Sequence, residues 1–152
     1  MSPDHSNVTT EFETVHTMTG YYDGPRSGIA NFRGRPHIYE SLFQDAPDSS
    51  DVFLLQPIDE ETFRLAVEDW TIWGRWERAF HSRQTTQDTH PALPEDRARH
   101  DQLETVLKPR LHIEDARAFK VRGRFEVRTP AQPGLTCTTE MIVYWTPHEN
   151  AA

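Results

Sequence analysis

The segment Asp59–His81, DEETFRLAVEDWTIWGRWERAFH, decides how this chain is read. Stepped along at helical period, it places Phe63, Leu65, Ala66, Val67, Trp70, Ile72, Trp73, Trp76 and Phe80 on one arc wider than half the circumference. A helix so apolar is contacted from several sides, so it is expected at the centre of the fold. Asp59 stands where an N-cap belongs. Glu60 and Glu61 follow in the first turn, where the aligned peptide dipoles favour negative charge. Asp69 and Glu77 fall inside the aromatic arc, and His81 follows Glu77 by one turn.

On the N-terminal side the pattern is that of strands. Residues 11–18 alternate, with Phe12, Val15 and Met18 as apolar members. Residues 20–25 carry two glycines, an Asp and a Pro, the chemistry of a turn. Two further strands, 27–32 and 35–43, flank Arg33-Gly34. A two-residue turn there sets Ala30 opposite His37 and Gly28 opposite Tyr39. A loop at 46–50 leads to a fourth strand, 52–56, apolar enough to be central in its sheet.

On the C-terminal side, a polar loop at 82–93 precedes a second helix that begins at Pro94, reaches about Leu107 and ends near Pro109. It offers only Leu103, Val106 and Leu107 to a core, so it is expected at the surface. From Arg117 to Arg128 the chain alternates strictly. Phe119, Val121, Gly123, Phe125 and Val127 face one way, and a basic row of Lys120, Arg122, Arg124 and Arg128 faces the other. A partner strand is expected over 136–145, with Val127 facing Cys137.

Four strands, two helices and two strands, joined by short connections, predict an α+β fold. The expected architecture is a mostly antiparallel curved sheet or small open barrel of about six strands, packed on one long central helix with a second surface helix. A single domain is expected over 11–147, with flexible tails at 1–10 and 148–152.

Composition narrows the function classes. The net charge of -8 works against binding nucleic acid or an anionic membrane, since counterion release rewards positive charge at phosphates. The longest apolar runs, 52–55 and 141–145, are too short to span a bilayer. With one cysteine, Cys137, no intrachain disulfide can form, and a buried, inert thiol on a strand is expected. The first residues lack a basic region followed by an apolar stretch, so a cytoplasmic location is the expectation. The chain carries no phosphate loop, GxSxG elbow, HExxH or paired CxxC.

Three places could carry chemistry. On the long helix, Trp70 and Trp73 could wall a pocket in which Glu77 and His81 supply acid–base or ligand-orienting groups; the alternative is a helix edge whose charges pair or reach water. In the first turn, Tyr21, Tyr22 and Arg26 could line a polar-aromatic mouth, with His37 and Tyr39 brought near by the hairpin; the alternative is a tight turn covered by tyrosine rings. The basic strand row could receive an acidic or phosphate-bearing partner, or simply be solvated. His100, with Asp96 and Glu104 one turn to either side, reads as surface pairing. A Glu-x-x-x-His pair supplies only two metal ligands, so no metal and no cofactor is expected.

The functional expectation is a small binding module with an aromatic-lined cleft for a small molecule or peptide. One alternative is an acidic protein-interaction partner of the inhibitor or immunity type. The other is a small enzyme using Glu77 and His81, or Asp69, as acid and base. Nothing in the sequence fixes an oligomeric state.

Overall fold

The computed structural model describes residues 11–22, 24–42 and 51–148, and its contacts divide the chain into two compact units, each built from separated segments. The loop expected at 46–50 and the tails at 1–10 and 149–152 lie outside the described residues.

The first unit (1–58, 113–126 and 141–152) carries a closed barrel. Its strands are β1 (Glu13–Tyr21), β2 (Pro25–Phe32), β3 (Arg35–Ser41), β4 (Val52–Pro57), β5 (Phe119–Thr129) and β6 (Glu140–Pro147). They neighbour one another in chain order. β6 returns to β1 through Glu13 opposite Val143 and Thr14 opposite Ile142, so the sheet closes rather than staying open.

The β2–β3 hairpin has the register its turn dictates, Ala30 opposite His37 and Gly28 opposite Tyr39. Arg33 and Gly34 both take positive φ, 56° and 77°, the geometry that matches the right-handed strand twist. The Glu13 carboxylate accepts both turn N–H groups, from Arg33 at 2.6 Å and Gly34 at 2.8 Å.

Inside the barrel, Ala30, Tyr39, Phe53, Leu55, Val121, Val143 and Trp145 form the buried cluster, with Phe125 packed against it. The rings of Tyr39, Phe53, Phe125 and Trp145 meet in tilted and edge-to-face contacts at 5.3–6.4 Å. Two glycines make room for them. A Cβ on Gly123 would lie 2.5 Å from the Trp145 ring, and one on Gly28 would lie 2.2 Å from the Thr17 carbonyl oxygen. Of the expected inward face of β5, Val121 is buried and Phe125 partly buried, but Phe119 and Val127 are exposed.

The second unit (59–112 and 127–140) is helical. α1 (Glu60–His81) is one continuous helix of 22 residues, and the Asp59 side chain accepts the Thr62 N–H at 2.8 Å as its N-cap. α2 (Arg97–Arg110) follows a short 3-10 turn at Pro94–Asp96 and passes through Pro109 in its last turn. Polar pairs join the two helices in antiparallel order: Glu61 with Arg110, Glu68 with Arg99, Asp69 with His100, and Arg75 with Asp96. Leu103 and Leu107 are the buried residues of α2.

Two expectations need correction. β1 and β2 run up to the turn itself, ending at Tyr21 and starting at Pro25, where Tyr22 N–H bonds the Gly24 carbonyl at 2.9 Å. The strand expected over 136–145 begins only at Glu140, because Thr136–Thr138 forms a 3-10 turn. The cause is Glu77, whose carboxylate accepts the backbone N–H groups of Thr136 at 2.8 Å and Cys137 at 2.7 Å. That local bonding withdraws both residues from sheet pairing. No helix among the described residues is long and apolar enough to cross a membrane.

Candidate functional site

The second unit carries an open hollow of about 580 Å³ lined by Phe80, His81, Arg83, Thr85, Thr86 and Gln87. Its wall is the C-terminal end of α1 and the turn that follows. There the chain stops helically in a defined way. Arg83 N–H bonds the Phe80 carbonyl at 3.1 Å and Gln84 N–H bonds the Ala79 carbonyl at 2.7 Å, with Ser82 as the C-cap. This paired pattern needs a left-handed residue, usually glycine, just past the cap. Here the position is held by Arg83, at φ +65°.

Two of its lining threonines, Thr85 and Thr86, belong to a hydroxyl chain. Trp76 Nε1 donates to Thr89 Oγ1 at 2.9 Å, and Thr89 Oγ1 donates to the Thr86 carbonyl at 3.0 Å. Thr89 has a single hydroxyl proton, so the 2.5 Å contact between Thr85 and Thr89 has Thr85 as donor. The Phe80 ring stacks on Trp76 at 4.9 Å and meets the His81 imidazole edge-on at 5.3 Å. Gly134 closes against His81, for a Cβ there would sit 3.0 Å from Nδ1.

The sequence candidates fall into several settings. Trp70 and Trp73 stack on each other at 5.1 Å, both partly exposed. Glu77 is buried, with both oxygens engaged by the 3-10 turn, while His81 is exposed at the hollow. Cys137, expected as a buried, inert thiol on a strand, lies instead at that turn and is partly buried. Cys137 Sγ is 3.8 Å from the Gly74 carbonyl, and burial, reinforced by Glu77, pushes the thiol up to about 11.

In the first unit, Tyr21 and Tyr22 are exposed, and Arg26 Nε donates to the Tyr22 carbonyl at 2.6 Å. His37 is buried in a ring cluster with Phe32 at 5.3 Å and Phe119 at 5.9 Å. Its Nδ1 faces the Arg35 carbonyl at 2.9 Å and must therefore carry the proton. Burial lowers its pKa. Tyr39 is fully buried and donates to the Thr17 carbonyl at 2.9 Å; burial raises its pKa above the ordinary phenol range.

Along the basic row, Arg122 pairs with Asp51 at 2.8 Å. The Arg124 guanidinium lies over the rings of Phe12 and Tyr144 at 5.4 and 5.5 Å, with Glu126 at 3.8 Å. Lys120 and Arg128 are exposed. His100 takes its closest partner from α1, Asp69 at 2.7 Å, and Glu104 stands at 3.9 Å. Among the described residues, His100, Asp101 and Glu104 are the group whose donor atoms, all within 4.8 Å of one another, could hold a metal ion; Arg97 lies 4.0 Å from Asp101 and competes for it.

Sequence reasoning reached His81 but missed Phe80 as a wall, and missed Arg83, Thr85, Thr86 and Gln87 altogether. The segment after His81 reads as a polar loop, and no glycine marks the helix stop. No protein-family model matches the chain, and comparison with curated proteins and with solved structures gives no match.

Proposed function

We propose that this protein is a small binding module whose ligand, a small organic molecule or the end of a peptide, occupies the hollow over residues 80–87. The observation that carries this reading is the hollow itself, about 580 Å³, within the range of ordinary ligand sites. An aromatic wall, an imidazole, a guanidinium, hydroxyls and an amide converge on it. Phe80 gives apolar contact, while His81, Arg83 and Gln87 offer polar groups to fix orientation. Glu77 contributes indirectly, by anchoring the 3-10 turn at Thr136–Thr138.

A thermal-shift screen of small organic acids, bases and neutral compounds tests the reading, because a ligand of the native state raises the melting temperature. Hits are expected with the natural chain and not with Thr86→Trp, which fills the hollow. Hits of equal size in both would place the site elsewhere.

A second reading, a protein-interaction partner, is favoured by the adjacent exposed tyrosines Tyr21 and Tyr22 beside Arg26. Those residue types dominate interface hot spots.

A further inference from the structure

We infer that the hollow selects organic anions, a carboxylate or phosphate monoester on a flat apolar body; this rests on the reading of the hollow as a ligand site. The two ionisable side chains in its lining, His81 and Arg83, are both basic. In a chain of net charge -8, Arg75 meets Asp96, Arg97 meets Asp101, Arg99 meets Glu68 and Arg110 meets Glu61, whereas Arg64 and Arg78 of α1 meet no carboxylate among the described residues. Among the described residues, Arg83 has no such partner.

The backbone adds an independent argument. Arg83 holds φ +65°, where a side chain costs free energy and glycine does not. An arginine kept at a strained position beside a concave surface points to use of its side chain. A guanidinium gives a planar fork suited to carboxylate and phosphate oxygens. An imidazole N–H from His81 can add a further donor, and the Phe80 ring gives the apolar body a wall.

The test uses the full chain labelled with 15N and four probes of similar size: benzoate, phenyl phosphate, benzyl alcohol and benzylamine. Benzoate and phenyl phosphate are expected to shift the backbone signals of residues 80–87 saturably, and benzylamine to leave them in place. Arg83→Gly is expected to weaken benzoate at least ten-fold while raising the melting temperature by about 2–4 °C, the size of effect a relieved left-handed residue gives in a chain this long. Arg83→Lys is expected to recover part of the binding.

If benzyl alcohol or benzylamine binds there as well as benzoate, the hollow is a ligand site but its selectivity for anions is wrong. If none of the four probes moves these signals, the ligand site itself is wrong. Undiminished benzoate binding by Arg83→Gly, or a lowered melting temperature in that variant, would overturn the role given to Arg83.

Discussion

The Glu77 carboxylate is bonded to the backbone of Cys137, Oε1 accepting its N–H at 2.7 Å while Oε2 accepts that of Thr136 at 2.8 Å. A buried acid on an aromatic helix therefore orders a segment 59 residues further along the chain. Glu77→Ala leaves two backbone donors without their acceptor and is expected to cost about 2–3 kcal/mol in denaturant unfolding. Glu77→Gln keeps one acceptor but turns an amide N–H toward the other donor, and should recover only part of the loss.

Cys137 reports on the same turn. With its thiol pushed up to about 11, little thiolate is present at pH 8, and labelling by a disulfide reagent should be slow. The rate should climb toward pH 11. In Glu77→Ala it should rise already at pH 8, because the turn that shelters the sulfur is loosened. Since the folded chain holds this proton more tightly than the unfolded one, stability should fall as pH rises from about 9 toward 11.

His37 predicts an acid-side effect of opposite direction. Burial between Phe32 and Phe119 lowers its pKa below the ordinary imidazole value of about 6.5, so the unfolded chain takes up the proton first as pH falls. Its contribution to stability is complete above about pH 6.5 and declines as pH drops through the lowered folded value. In His37→Phe the slope of unfolding free energy against pH below about 6.5 should flatten, measured by urea titrations at several pH values.

The barrel interior should not tolerate a methyl group at Gly28. Its Cβ would lie 2.2 Å from the Thr17 carbonyl oxygen and 2.8 Å from the Tyr39 hydroxyl, so it strikes backbone on one side and a committed hydrogen bond on the other. Gly28→Ala is expected to destabilise by about 3 kcal/mol or more. Gly123→Ala meets the Trp145 ring instead, at 2.5 Å, and should also shift tryptophan fluorescence.

Much of this architecture was legible because local rules decide it. Arg33-Gly34 dictated the hairpin register, Asp59 marked the start of α1, and β5 declared itself by alternation. Barrel closure was not legible, since Glu13 and Val143 meet across nearly the whole chain and leave no local trace. The turn at Thr136–Thr138 was misread because its β-branched residues favour strands, while the deciding bond comes from Glu77 on a distant helix. The hollow was hidden for a related reason. Its shape depends on Arg83 adopting a conformation that sequence patterns assign to glycine.

The central claim is that residues 80–87 form the ligand site, and fragment soaking of crystals tests it most directly. Several hundred small fragments, acids, bases and neutral compounds alike, would be soaked and every bound one located. The account predicts that fragments gather against Phe80 with their acidic groups toward Arg83 and His81. Fragments that gather instead beside Tyr21, Tyr22 and Arg26 or around Trp70 and Trp73, leaving the hollow empty, would contradict it.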